Sequence, residues 1–466
     1  RMKLHYVISI ILLLSGCGNL TRSDYQRPQL SYPTQWQKQM AQDPNVLASE
    51  SENWWQGFND PRLTRVVNQV LASNNDLAAA AITLQQARVA AGLTNTNLTP
   101  DVSLGGSASN SQSVRHHSAA QESYAASLSI NYELDLWGKL ARVREQGEWQ
   151  ATASEQDYRA TVLSTIGTTA QIYWTIALLN QQIGNLRDSL DIAEQTLAQI
   201  ESWHSVGKVG LLDVLQARQT RLSRQNSLRA LLQQREASRN ALALLLNRPA
   251  EQHTDELATL NTDQRVAIAA VTPLAVISQR PDIQAAESRL RAALAGYDAA
   301  RLSFYPSLSL NATMNAGSQV FSQWFNNPTR TVGSAVALPF IQWNTVQLTI
   351  EQSNLQIKQA AVAFRQTAYT ALSEVDNAME QRLSADEQRG RLQQSLALGK
   401  QRLALTESRY RAGAVDYQTL LDAQDVQLTL ENSLTQAQYD YLYATLQLWL
   451  AQGGGNSEPR TIKNAA

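Results

Sequence analysis

The chain has 466 residues, 43% hydrophobic and 17% charged, with a net charge of −1 and a single Cys. That balance lacks the basic footprint of a nucleic-acid binder, and one Cys leaves neither a disulfide framework nor a multi-cysteine metal site. Beyond the N-terminal segment no uninterrupted apolar run approaches the ~18 residues of a spanning helix, although alternating barrel strands would escape that test; length alone suggests about three domains.

Residues 1–16 read as a signal. Met2, Lys3 and His5 form a basic start, Tyr6 to Leu14 an apolar core, and Leu14-Ser15-Gly16-Cys17 follows at once. The segment resembles a bacterial lipoprotein signal, in which Cys17 becomes the first mature residue and carries acyl chains that anchor it to lipid. Gly18 resembles the signature of lipoproteins forwarded to the outer membrane. An ordinary secretory signal with a chance Cys is the plainer alternative. Residues 17–59 then form an extended N-terminal segment.

The stretch 60–260 opens with Asp60-Pro61, an N-cap followed by Pro at the first helical position, and continues with Leu63, Val66, Val67, Val70 and Leu71 at helical spacing. After Pro100 the period changes to two. Val102, Leu104, Gly106 and Ala108 alternate with Ser103, Gly105, Ser107 and Ser109. Tyr124, Ala126, Leu128, Ile130, Tyr132 and Leu134 alternate with Ser127, Ser129 and Asn131. Two strands are expected, about 101–112 and 123–134. No Pro occurs between Pro100 and Pro249, so Lys139 to Val206 can run as one helix of about 100 Å. Leu163, Ile166, Ala170, Tyr173 and Ala177 step by three and four, as in coiled-coil packing. Gly207-Lys208-Val209-Gly210 interrupts the helical hairpin, about 139–248, where a helix C-terminus favours a left-handed residue.

A connector, 261–273, leads to a second copy over 274–466. Its strands are expected at about 307–317 and 330–340, and its hairpin at about 343–452, turning at Ala412-Gly413-Ala414-Val415. Asp282 lies 206 positions after Asp76, and the same offset joins Leu84 to Leu290, Pro100 to Pro306, Trp137 to Trp343, Gly207 to Gly413 and Leu215 to Leu421. A constant shift of this kind marks a tandem repeat of one long unit.

Four strands of about ten residues, apolar on one face and small and polar on the other, have the length and period of transmembrane barrel strands. Four cannot close in lipid, where an open edge leaves backbone groups unsatisfied. The missing partners must come from other copies, two chains giving eight strands and three giving twelve. A half-buried sheet on a soluble core explains the alternation equally well, and a plain coiled-coil rod explains the helices but not the strands.

Catalysis finds no support in the sequence. His116-His117, His204 and His253 show no ligand spacing with a carboxylate, and there is neither a phosphate-cradling Gly-rich loop nor a nucleophile elbow. No enzyme activity, cofactor or metal is expected.

Several ordered segments carry a specific resemblance: Asn53-Trp54-Trp55-Gln56-Gly57-Phe58-Asn59-Asp60-Pro61, Asn75-Asp76-Leu77, Asp135-Leu136-Trp137-Gly138-Lys139, Arg280-Pro281-Asp282-Ile283, Phe304-Tyr305-Pro306-Ser307, Arg409-Tyr410-Arg411-Ala412-Gly413-Ala414-Val415 and Leu421-Asp422-Ala423-Gln424. Together they resemble the TolC-like outer-membrane factor family, and the Trp-Trp opening with the Cys17 segment resembles its lipoprotein, NodT-like efflux branch. The resemblance implies a mainly α fold with a small transmembrane β part, assembled as a homotrimer: a twelve-stranded β-barrel continued by a twelve-helix α-barrel. It also implies docking through a periplasmic adaptor onto an inner-membrane pump of the resistance-nodulation-division or major-facilitator type, outer-membrane anchoring through acylated Cys17, and no nucleic-acid partner.

By the same resemblance the hairpin tips close the periplasmic end. Asp422 is the matching candidate for a carboxylate ring, with Asp416 nearby, and Asp213 and Tyr410 match positions that tie hairpins together. A basic partner found in relatives aligns with Val415, leaving Arg409 or Arg411 as substitutes. Gly207, Lys208, Val209, Gly413, Ala414 and Val415 form the expected adaptor-docking tips. A solvated helix face is the plain reading of the charges, and turn chemistry that of the glycines. Three functions follow: an efflux duct, a type I protein-secretion channel, or a periplasm-crossing structural lipoprotein without a pore.

Overall fold

A computed structural model describes residues 17–36, 58–116, 118–250, 252, 255–266, 268 and 272–454. The expected signal 1–16, Asn53 to Gly57, His117, His253 and the tail 455–466 lie outside the described residues, as does the side chain of Cys17. Among the described residues eight α-helices and four strands follow in chain order: α1 Pro61–Ser73, α2 Asn75–Thr94, β1 Asp101–Ser111, β2 Gln121–Leu134, α3 Lys139–Ser205, α4 Leu211–Leu245, α5 Pro273–Gln279, α6 Pro281–Leu302, β3 Ser307–Ser318, β4 Thr329–Ala337, α7 Trp343–Arg411 and α8 Tyr417–Ala451. The fold is mainly helical with a small sheet, as the sequence leads one to expect. It divides into two compact units, residues 1–30, 82–156 and 284–367 in the first and 31–81, 157–283 and 368–466 in the second.

The first unit holds the sheet, antiparallel throughout in the order β1-β2-β3-β4. Pairing sets Leu104 opposite Leu128, Leu128 opposite Met314 and Ala312 opposite Val332, so even-numbered residues share one face. The odd face carries Ser103, Ser129, Asn311 and Thr313, and the Ser103 and Ser129 hydroxyls are hydrogen-bonded across the pair. Leu104 is 80% exposed and Val332 75%, so none of the described residues covers these parts of the apolar face. β4 ends at Ala337 rather than near residue 340, because Pro339 has no N–H to give the ladder and opens a short 3-10 turn, Pro339–Ile341.

Residues 17–30 are strapped to α6. Ser23 donates its N–H and hydroxyl to the buried carboxylate of Asp298, Arg301 reaches the Thr21 carbonyl, and Arg27 pairs with Glu287 at 2.5 Å. The Arg291 guanidinium stacks over Tyr25 at 4.1 Å and over Trp149 at 4.8 Å. Gly138, at φ +82°, starts α3 so close to Gly18 that a β-carbon there would lie 3.0 Å from the Gly18 Cα. The segment following Cys17 is thereby held against the strand-to-helix junction.

In the second unit, Asp60 caps α1, accepting from the N–H groups of Arg62 at 3.0 Å and Leu63 at 3.2 Å, while its other oxygen accepts from the Tyr173 hydroxyl at 2.8 Å. Burial, then that bond, pushes the Tyr173 hydroxyl pKa far up. Phe58, beside the cap, is buried edge-on against Trp174 and Trp449. The helices meet in a core that includes Val66, Ile166, Ala170, Tyr173, Ala177 and Leu442. An 18-residue window of α3 is apolar enough to cross a membrane, a signal that the search for uninterrupted apolar runs passes over; 61% of that window is buried, as befits a core helix.

The connector is pinned by two arginines of α7. Arg389, 1% exposed, donates to the carbonyls of Thr262 at 2.8 Å and Gln264 at 3.4 Å and to Gln438, and pairs with Asp386. Arg382 donates to the Val266 carbonyl, to Thr445 and to the Tyr441 hydroxyl. At the start of α6, Arg280 forks onto Asp282 at 2.8 and 2.9 Å and pairs with Glu374 at 2.5 Å. The Arg-Pro-Asp motif is therefore a clamp between α6 and α7.

Candidate functional site

The hairpin tips belong to the second unit and use the same turn. α3 ends where Gly207 takes φ +76°; its N–H donates to the His204 carbonyl at 3.0 Å, and that of Lys208 to the Trp203 carbonyl at 2.8 Å. α7 ends where Gly413 takes φ +78°, with Gly413 donating to Tyr410 at 3.0 Å and Ala414 to Arg409 at 2.9 Å. These are Schellman closures, in which the left-handed residue satisfies the last carbonyls of the helix. A β-carbon at either glycine would meet nothing within 4 Å, so backbone conformation alone requires glycine. The next helices start from Gly210 (φ −81°, ψ 169°) and Asp416 (φ −82°, ψ 170°).

Identical turns carry different chemistry. Asp416 accepts from the Thr419 N–H at 2.9 Å and hydroxyl at 2.6 Å, and these bonds lower its carboxyl pKa; Gly210 offers no such cap. Lys208 places its ammonium 4.0 Å over the Trp203 ring, a cation–π contact absent from the second tip, where Ala414 holds that position.

The tips pack on each other. Leu197, Ile200, Val214 and Ala217 from the first hairpin and Tyr410, Tyr417 and Leu420 from the second form one buried cluster, flanked by Trp203, Val209 and Val415. Trp203 and Tyr410 lie 5.6 Å apart, and Tyr410 and Tyr417 6.3 Å. The Tyr410 hydroxyl is buried without a hydrogen-bond partner among the described residues. Burial, and next the charge of Asp213, pushes its pKa up to about 12. Polar ties run beside this cluster: Arg224 of α4 pairs with Asp425 of α8, and Gln216 Nε2 lies 3.5 Å from Gln418 Oε1.

Comparison with known proteins decides the identity. The description "Outer membrane efflux protein" matches residues 66–248 and again 273–454, one match for each copy of the repeat. The chain belongs to the outer membrane efflux protein family. It is 29% identical over 433 residues to the pyoverdine export outer membrane protein OpmQ of Pseudomonas putida, covering 91% of this chain and 92% of that one. With the cation efflux system protein CusC of Escherichia coli it shares 28% over 455 residues, covering 96% and 97%. A CusC crystal structure superimposes with a TM-score of 0.81 at 27% identity, covering 93% of this chain and 99% of that one. The open state of the Neisseria gonorrhoeae channel MtrE gives 0.80 at 25%, covering 94% and 98%. This efflux protein is accordingly an outer-membrane channel that extends into the periplasm.

In the efflux channel the carboxylates singled out from sequence occupy different settings. Asp422 is exposed and accepts from Gln418 one turn before it at 2.8 Å, and Asp416 is a helix cap. Asp213 is half-buried near Tyr410. Arg409 and Arg411 are exposed, and among the described residues neither forms an ion pair with Asp213 or Asp422; Val415 packs on the cluster instead. No group of three or more His, Cys, Asp or Glu suited to a metal occurs among the described residues. Sequence reasoning missed Arg224 and Asp425. A signal existed: the segment Leu421 to Asp425 has carboxylates three apart where its counterpart, Leu215 to Gln219, has none.

Proposed function

We propose that this channel is the exit duct of a tripartite efflux assembly, passively conducting drugs or other toxic compounds delivered by an inner-membrane pump through a periplasmic adaptor. The carrying observation is the four-stranded sheet with an exposed apolar face and two open edges, β1 and β4. Lipid does not tolerate open edges, so β4 of one copy pairs with β1 of the next, and three copies close a barrel of about twelve strands. The paired hairpins line the periplasmic continuation. Acyl chains on Cys17 add an anchor beside the strand-to-helix junction at Gly138.

Conduction is gated at the hairpin tips. Three copies of Asp422, exposed on α8, supply the carboxylate ring that narrows and polarises the pore. Asp416, Asp213, Tyr410, Arg409 and Arg411 set the register of the tips. Gly207, Lys208 and Val209 with Gly413, Ala414 and Val415 form the adaptor-docking surface; exposed Val206, Leu211 and Leu212 beside them suit an apolar partner. OpmQ exports pyoverdine and CusC belongs to a cation efflux system. Related ducts thus serve unlike cargo, and selection rests with the pump.

Planar-bilayer recording on the purified protein tests this reading. A trimer that conducts, with Asp422→Ala raising conductance or changing ion selectivity, supports it. A trimer silent even as Asp422→Ala overturns it in favour of a structural lipoprotein. Co-purification with an ATP-driven exporter in place of a proton-driven pump would assign the chain to type I secretion. Cys17→Ala is expected to lose acylation yet still insert; finding it only in the soluble periplasmic fraction would overturn the independence of the barrel.

A further inference from the structure

On the apolar face of the sheet, Arg330 is the only cation among the strand residues. The ladder sets it directly opposite Met314, which pairs with Leu128, which pairs with Leu104, so a guanidinium ends a row of exposed apolar side chains. Glu122, the only anion on this face, accepts from the Tyr124 hydroxyl at 3.1 Å. Arg330 is exposed and has no hydrogen bond or ion pair among the described residues. A lone arginine on a lipid-facing wall is costly at the bilayer midplane and nearly free at the interface, so its depth and partner decide whether it is tolerable.

The same face supplies a depth marker. Tyr124, paired with Ser318, contacts Phe321 at 5.4 Å and Trp324 at 5.2 Å, and Trp324 stacks on Phe325 at 5.4 Å. Phe321 and Phe325 are each 67% exposed, in the connection between β3 and β4. An exposed aromatic cluster of this kind sits at the outer interface of a membrane barrel. Met314 precedes Ser318 by four residues, about 13 Å along the strand, which the tilt of barrel strands reduces to about 10 Å of depth. An arginine at that depth extends its apolar stem along the wall and lifts its guanidinium to the headgroup layer.

We propose that Arg330 binds a phosphate of an outer-leaflet glycolipid of the lipid A type, whose acyl chains lie on Leu104, Leu128 and Met314 and whose sugar rests against the aromatic cluster. The guanidinium fork matches phosphate, and desolvation at the interface strengthens the bond. The proposal rests on the reading of the even face as the lipid-facing wall.

Native mass spectrometry of the full-length protein in detergent, titrated with phosphorylated lipid A, dephosphorylated lipid A and phosphatidylglycerol, tests it, with vesicle insertion and conductance measured on the same preparations. The wild type is expected to bind phosphorylated lipid A about tenfold more tightly than R330Q does, the effect of one charge-assisted bond. R330K, a point charge without the fork, should recover only part of that affinity, and dephosphorylated lipid A should bind wild type and R330Q equally. Equal affinity of wild type and R330Q for phosphorylated lipid A overturns the proposal. So does phosphatidylglycerol binding as tightly as lipid A, or lipid A binding as tightly without its phosphates. A wild type that inserts and conducts but shows no such preference refutes this site alone; one that fails to insert refutes the wall reading as well.

Discussion

Arg224 and Asp425 join the two hairpins by an ion pair that is unevenly buried, the arginine side chain being 15% exposed and the aspartate 50%. Their helices, α4 and α8, come from opposite copies of the repeat, so this contact resists the sliding of one hairpin on the other. Half-exposed pairs contribute about 0.5–1 kcal/mol. R224Q and D425N are therefore each expected to raise the open-to-closed ratio about two- to fivefold in bilayer recordings, with the double variant close to either single one. Additive effects would show that the two residues act separately.

Tyr410 makes a second, opposite case. Its buried hydroxyl has no hydrogen-bond partner among the described residues, so Y410F is expected to leave resting conductance within about twofold and to preserve or slightly raise the melting temperature. The hydroxyl pKa lies above the ordinary tyrosine value of 10, at about 12. The folded state thus favours the neutral form, with its stabilisation intact below pH 10 and lost as pH rises towards 12. Y410F should lessen that alkaline loss. A large leak in Y410F at neutral pH would mean that the hydroxyl bridges the hairpins.

At the second tip two substitutions separate conformation from capping. G413A puts a β-carbon on a residue at φ +78° and is expected to cost about 1 kcal/mol, although the space around it is open. D416A removes the cap on Thr419. Because the Asp416 carboxyl titrates below its ordinary range, its contribution is present above about pH 4 and vanishes as pH falls through the lowered value. The difference in melting temperature between wild type and D416A should therefore shrink in acid. A difference that persists there points to packing.

Arg389 holds the connector. R389A leaves the Thr262 carbonyl without its donor and takes one of two donors from the Gln264 carbonyl, which keeps Gln438, and from Asp386, which keeps Arg265, and is expected to destabilise by about 2 kcal/mol. Trypsin should then cut at Arg265, an exposed connector residue that pairs with Asp386. Protection equal to wild type would show that Arg382 alone suffices.

What the sequence disclosed was local and periodic. The offset of 206 aligns Gly207 with Gly413, and the structure gives them the same backbone, because left-handed closure is dictated by a glycine at the end of a helix. Alternation identified the even face of the sheet because a strand has period two. The absence of Pro allowed α3 and α7 to run for 67 and 69 residues. The break at Asn74 escaped notice, since its cause is tertiary: Asn74 stops α1, caps α2 through Leu77 and donates to the Leu245 carbonyl. The straps from Ser23 to Asp298 and from Arg389 to Thr262 span 275 and 127 residues. Such pairs depend on how one helix is rotated against another segment, which no local period encodes. Around the tips, sequence named the carboxylates but not their settings, so a helix cap (Asp416) and a residue facing solvent (Asp422) looked alike.

The open edges of β1 and β4 bear on how the protein reaches its membrane. On the proposed barrel reading, a single chain cannot dissolve its sheet in lipid, because each edge strand would enter the bilayer with its backbone groups unsatisfied. Insertion therefore waits on encounter between copies, and its rate should rise more steeply than linearly with the amount of protein secreted. Scarce protomers would then remain unthreaded, and a variant able to pair along only one edge would stall its normal neighbours, making the defect dominant in a mixed population.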